Sequence, residues 1–261
     1  VAVTGAYQTL DDVISGLAEI EASFTQRGDR RAIFATLYGV ISTAARENVG
    51  QHLFEDNTWV GRYAVAFANF YRLALDWYEA GHLSQVPKAW RLCFDFARES
   101  DGLVLQDLLL GVNAHVNNDL PLALNAVSID PDRASRHRDH TAVNKVFSRV
   151  LERATQAVAT LYAPGLETAD DFGGQLDELA SLFSIDVARE SAWEAAVALA
   201  NARSDAERRL TTTLVSARAA VVARLLRAPS LNPTFIAACR QFEQQPNWVA
   251  LVATCIRHES G

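Results

Sequence analysis

The chain has 261 residues, of which 49% are hydrophobic and 21% charged, and a net charge of −7. That is the balance of a globular protein long enough to bury a sizeable core without disulfide or metal. The acidic balance speaks against nonspecific nucleic-acid binding and against a basic membrane-binding surface. No apolar run approaches the ~18 residues of a membrane span, and residues 1–6 lack the basic region and apolar stretch of a signal peptide. The expectation is a cytoplasmic protein with neither nucleic acid nor membrane as partner. Cys93, Cys239 and Cys255 are odd in number and widely spaced, which reads as free, buried thiols in a reducing compartment. Cys239 and Cys255 could meet if the last two helices pair.

The first helix is expected from Thr9 to about Gln26, with Thr9 as cap, Asp11 and Asp12 in the first turn, and Val13, Leu17, Ile20 and Phe24 as an apolar stripe. Gly28 ends it. Asp29 reads as the cap of a second helix reaching about Asn48, which brings the hydroxyl of Tyr38 toward the core. From Trp59 to about Ala80 runs an aromatic face of Trp59, Tyr63, Phe67, Phe70 and Trp77. Such a stripe is first of all core. Gly81 closes it, and Pro87 opens a helix carrying Trp90, Cys93 and Phe94.

Asp101 to about Val127 predicts a helix apolar nearly all round, hence buried in the middle of a bundle. Pro121 should kink or end it. After the turn at Asp130-Pro131, residues 133–140 read as a solvated charged turn, and helical periodicity returns from Val143 to Leu161. A short helix is expected over 176–183 and another from Ser184. Ser204 and Glu207 have capping-box spacing at the head of a helix to about Arg227. Two short helices finish the chain. The fold class is thus all-α: one multi-helix bundle of about ten helices spanning residues 1–261, with its best candidate for a subdomain boundary near 163–175.

The central helix carries the chemistry. Gly111-Val112-Asn113-Ala114-His115-Val116-Asn117-Asn118-Asp119-Leu120-Pro121 places polar groups inside an apolar run. Asn113 and Asn117 are four apart, as are His115 and Asp119, so each pair shares a helix face. This block resembles the G-x-N-A-H-I-N-x-D-L-P hallmark of a bacterial helical family of unknown function. Further pieces are similar: Asp29 to Phe34 with Tyr38, Phe54-Glu55-Asp56 before Trp59, Val86 to Trp90, and Asp139 with Val143-Asn144. The resemblance covers most of residues 9–160, and implies a fold and a place for a site but no activity. Asn118 stands where members of that family often have a second histidine.

Three readings of the block stay open. The polar groups can simply satisfy one another and nearby backbone inside the core. Alternatively, His115 acts as general acid or base with Asp119 orienting it, and Asn113 and Asn117 hold a carbonyl or an anionic intermediate. Tyr38, Tyr71, Trp90 and Asn144 would then bind a small, largely apolar substrate that is cyclised, isomerised, split by elimination or hydrolysed. A third reading is a metal-dependent hydrolase. No cofactor is required by any motif, but a divalent metal could use His115, Asp119 and His140. Arg189 and Trp193, four apart, could stack inward. The chain has no phosphate loop, dinucleotide fingerprint, nucleophile elbow or C-x-x-C pair. The enzyme reading leads, a noncatalytic ligand-binding or scaffold protein is its alternative, and the oligomeric state is left open.

Overall fold

A computed structural model describes residues 6–99, 102–162, 184–228 and 233–260. Among them there is no strand. The elements are α1 (Leu10–Gln26), α2 (Ala32–Gly50), α3 (Asn57–Glu79), α4 (Lys88–Glu99), α5 (Val104–Asn113), a π-helical segment (Ala114–Asp119), α6 (Leu120–Ala126), α7 (Arg133–Tyr162), α8 (Ile185–Asn201), α9 (Asp205–Arg227), α10 (Pro233–Glu243) and α11 (Trp248–Ser260). Because α5, the π segment and α6 run on without a break, the described residues form ten helical rods, an all-α bundle as the periodicity predicts. The helix expected at 176–183 and the boundary expected near 163–175 lie outside the described residues.

Local signals set most boundaries. Thr9 and Asp12 cap α1 reciprocally: the Thr9 hydroxyl accepts the Asp12 N–H at 3.1 Å, and the Asp12 carboxylate accepts the Thr9 N–H at 2.9 Å. Gly28 and Gly81 adopt φ values of +64° and +76°. At each, two N–H groups turn back onto carbonyls of the last helical turn, Gly28 and Asp29 onto Thr25 and Phe24, Gly81 and His82 onto Tyr78 and Trp77. Ser204 accepts the Glu207 N–H at 3.2 Å, but Glu207 reaches past it to the N–H of Arg203.

Two expectations are corrected. First, α2 starts at Ala32, not at Asp29. The Asp29 carboxylate is drawn into a turn, where it accepts the Arg31 N–H at 3.0 Å and pairs with the Arg31 guanidinium at 2.6 Å. Second, residues 133–140 are no solvated turn but the opening of α7. Their outer side chains are matched by carboxylates, Arg133 with Asp130 and Arg138 with Glu55, each at 2.6 Å. Their inner face buries Asp139 and His140. The charge density hid a helix whose polar inner residues have partners.

The core is organised around the rod formed by α5, the π segment and α6. Every residue from 102 to 121 is buried, enclosed by α2, α3, α4, α8 and α9. Without water, the free N–H groups at the head of α5 need protein acceptors. The Gln106 side chain accepts the Leu103 N–H at 2.9 Å, and Glu243 of α10 accepts the Val104 N–H at 2.8 Å. Gln106 then donates to the Leu226 carbonyl at 2.7 Å. Between these sits Arg30, with Asp107 at 2.5 Å and Glu243 at 3.1 Å. The last turns of the chain are therefore tied to the head of the rod by buried polar groups. Cys93 and Cys239 are buried free thiols, and the Cys255 thiol donates to the Ala157 carbonyl at 3.7 Å. Among the described residues no helix is long and apolar enough to cross a membrane.

Candidate active site

Pro121 explains the local form of the rod. Its ring has no N–H to give and would crowd the carbonyl four residues back. The chain answers by widening to π geometry from Ala114 to Asp119, where the Leu120 N–H reaches back five residues to the His115 carbonyl. Proline then sits in the first turn of α6, where a missing donor costs little. The expected kink is thus a π segment, a form that concentrates at functional positions.

The two residue pairs of the block leave the rod on different faces. Asn117 donates to the Asn113 amide oxygen at 2.9 Å, and Asn113 donates to the Ala219 carbonyl at 2.9 Å, fastening the rod to α9. His115 and Asp119 face α2, α3 and α4. There Asp119 accepts three N–H groups: Trp90 Nε1 at 2.8 Å, Asn118 Nδ2 at 2.8 Å and His115 Nδ1 at 3.0 Å. Asn118, at the position where the resemblance departs, supplies the amide that Asp119 uses.

A carboxylate holding three donors is an acceptor only. It fixes the His115 tautomer as Nδ1–H and leaves Nε2 with its lone pair. Nε2 has no hydrogen-bond partner among the described residues. The imidazole is fully buried, and burial lowers its pKa below the ordinary value, against the pull of Asp119 and with help from the positive charge of Arg189. His115 is therefore a neutral imidazole with an unpartnered basic nitrogen in an apolar wall.

That wall is aromatic. Phe67 lies flat on the imidazole, centroids 3.5 Å apart and planes 4° off parallel. Tyr38 meets it edge-on at 4.4 Å, and Phe34, Trp90 and Tyr71 complete the ring within 5.7, 6.0 and 6.2 Å. Burial holds the Tyr38 phenol well above its usual pKa, so it is neutral. Gly111 makes room for this arrangement: a Cβ there would stand 2.5 Å from the Phe34 ring. The glycine that opens the block thus lets an aromatic side chain rest on the rod one turn before His115.

Of the residues singled out from sequence, the structure brings together His115, Asp119, Tyr38, Tyr71 and Trp90. It sets Asn113 and Asn117 apart as a fastening to α9, and Asn144 apart on α7. Asn144 instead accepts from Nε of Arg189, whose Nη2 donates to the Tyr63 hydroxyl at 3.0 Å. His140 donates Nε2–H to the Arg189 carbonyl at 3.2 Å. Burial, then the charge of Arg189, hold the pKa of His140 well below the usual range. Among the described residues no three His, Cys, Asp or Glu side chains gather as a metal-binding group, the trio His115, Asp119 and His140 included. Asp139, which also reads as a candidate ligand, instead accepts the N–H groups of Glu55 at 2.8 Å and Asp56 at 2.9 Å. That holds the loop whose Asp56 caps α3.

Sequence reasoning missed Phe34 and Phe67 as neighbours of His115 and undervalued Arg189. Phe67 stood in the aromatic stripe, and an arginine four residues before a tryptophan in an apolar helix was the signal for Arg189. The described cavities lie elsewhere. One of about 390 Å³ runs between α1 and α2 past Leu17, Thr36 and Val40, and one of about 400 Å³ lies beside Arg30, Glu243 and Trp248.

Of the pieces that carried the resemblance, Phe34, Tyr38 and Trp90 meet at His115, while Asp139 and Asn144 of α7 hold the loop before α3 and Arg189. No curated protein and no solved structure matches the chain. The profile of a family of unknown function, DUF5995, matches residues 10–229, from the start of α1 to just past α9, and the chain belongs to that family.

Proposed function

We propose that this protein is an enzyme that moves a proton on a small, largely apolar molecule, with His115 as the base and Asp119 as the group that orients it. The observation that carries the reading is His115 Nε2: a lone pair without a partner, on a neutral imidazole held by a triply bonded carboxylate, inside a ring of aromatic side chains. A core histidine kept only for packing would be expected to use both nitrogens. A base works best when neutral, held in one tautomer and shielded from water. Isomerisation, cyclisation, elimination and hydrolysis all need such a proton acceptor.

The test is untargeted mass spectrometry of a metabolite extract incubated with the wild type, His115→Gln and Asp119→Asn. The expected outcome is at least one compound converted by the wild type, spared by His115→Gln and slowed by Asp119→Asn, with both variants folded by circular dichroism. Conversions that proceed equally in His115→Gln, or no conversion that depends on His115, would refute the enzyme reading. One observation favours a second reading, a noncatalytic scaffold or ligand-binding protein: His115 is 0% exposed. On that reading His115→Gln lowers the melting temperature and changes no conversion.

A further inference from the structure

Among the described residues, Arg189 is a buried cation without a counter-charge. Among the buried arginines, Arg30 has Asp107 and Glu243, Arg31 has Asp29 and Glu79, and Arg72 has Asp76. Arg136, at the edge of burial, is held by the carbonyls of Ser128 and Asp130. Arg189 is the deepest of the five, 0% exposed against 7–9% for the others. Its partners are the Asn144 amide, the Tyr63 hydroxyl and the face of Phe147 at 5.3 Å, all neutral. Nη1 has no hydrogen-bond partner among the described residues, and neither has Nδ1 of the adjoining His140. A guanidinium cannot shed its proton, and a buried charge is expensive unless an opposite charge meets it.

The neighbourhood fixes the kind of charge that would complete it. His140 is neutral, so the cluster carries one positive charge, which a single negative charge balances. A phosphate dianion would leave an excess negative charge in the core. The guanidinium fork also matches a planar carboxylate. The cluster is joined to the candidate active site along α3. Tyr63, bonded to Arg189, stacks on Phe67 at 6.2 Å and 22°, and Phe67 stacks on His115.

We infer that Arg189, flanked by Tyr63 and Asn144, binds the carboxylate of a small apolar organic acid. That this acid is also what His115 acts on rests on the function proposed above; the carboxylate site itself does not. Asn144 is only half buried, so the anion has its shortest way in along α7.

The test uses the full chain with hexanoate and benzoate as probes, hexanamide and benzamide as neutral isosteres, and inorganic phosphate and chloride at matched ionic strength. The readouts are thermal shift and the side-chain ¹⁵N signals of Arg189. Both carboxylates should raise the melting temperature saturably and move the Arg189 signals, while the amides, phosphate and chloride do neither. Arg189→Met should weaken the carboxylate response roughly tenfold or more, the scale of a lost charge-assisted pair. Arg189→Lys should keep part of it. If Arg189→Met does not fold, the ¹⁵N response of the wild type decides alone. Equal responses to acid and amide, a preference for phosphate, no response to either carboxylate, or an undiminished response in Arg189→Met would overturn the inference. His115→Gln should keep the carboxylate response, so failure of the catalytic reading leaves this result standing, and loss of the carboxylate response with conversion intact would sink this inference alone.

Discussion

One buried rod carries polar clusters at both ends, and the two solve burial in opposite ways. At the head of α5, two carboxylates, Asp107 and Glu243, share the guanidinium of Arg30. At the π segment, one carboxylate, Asp119, takes three N–H donors and leaves a basic nitrogen on His115 unused. The first cluster ties α10 to the rod through the ion pairs of one guanidinium with two carboxylates. The second is braced around a neutral imidazole whose second nitrogen is basic. A buried atom without a partner does not by itself mark a site, since Asp107 Oδ1 also has none among the described residues; a neutral base held in one tautomer does.

The clusters also answer pH in opposite senses. Burial, opposed by Arg30 and reinforced by the nearby Glu243 and Asp29, pushes the Asp107 carboxyl up to about 7. An acid with a raised folded pKa holds its proton in the native state after the unfolded chain has lost it. Asp107 thus costs stability progressively as pH rises from about 4 to about 7. His115 and His140 are depressed bases. The unfolded chain takes up protons below about 6.5 that the native state refuses, so their contribution is lost as pH falls below that value.

The largest effect should come from removing the guanidinium that Asp107 and Glu243 share. Arg30→Met breaks both of these ion pairs, and should cost about 3–5 kcal/mol in urea denaturation, the range for a broken buried pair. A loss under 1 kcal/mol would mean that Arg30 does not hold this junction. Next, the stability of Asp107→Asn relative to the wild type should shift by about 2–4 kcal/mol in the variant's favour between pH 4 and 7, each pKa unit being worth about 1.4 kcal/mol. Parallel pH curves for the two proteins would show that Asp107 titrates normally.

At the other end, Gly111→Ala drives a methyl group into Phe34 and should cost about 1–3 kcal/mol. Because Phe34 also edges His115, the imidazole signals should shift; a neutral substitution would show that the rod can step away from α2. Trp90→Phe removes one of the three donors to Asp119 and should cost about 1–2 kcal/mol, in the range for a buried acceptor left short. It should leave the Arg30 cluster untouched, which an unchanged pH response of Asp107 would verify.

Much of this was legible in the sequence, and what was not has physical causes. The all-round apolar run announced a buried rod, and Thr9, Gly28, Gly81 and Ser204 announced helix ends, because those signals act between neighbours in the chain. The π segment was legible only as a proline that ought to disturb a helix; how the chain absorbs it depends on the backbone five residues away. That Asn113 and Asn117 fasten the rod to α9, while His115 and Asp119 face three other helices, follows from which helices lie on each side, information no local spacing carries. The same holds for Asp139, whose partners, the N–H groups of Glu55 and Asp56, lie 84 and 83 residues away in the chain. The spacing of Arg189 and Trp193 showed that the arginine could turn inward, but not that its partners would be the neutral groups Tyr63 of α3 and Asn144 of α7.

The smallest expected effect is also the sharpest division between the two ends. Between about pH 4.5 and 6.5 the Asp107 and histidine contributions have opposite signs, so in the wild type they oppose each other. In an Asp107→Asn background the histidines act alone, and stability should climb with pH across that interval. Adding His115→Gln should reduce the climb, and what persists should belong to His140, which shares its direction and its cause. If the single Asp107→Asn variant stays flat over this interval, both histidines protonate as readily in the folded chain as in the unfolded one. His115 would then not be the neutral base that its three-donor carboxylate and aromatic wall argue for, and the contrast between the two ends of the rod would reduce to a difference in charge count.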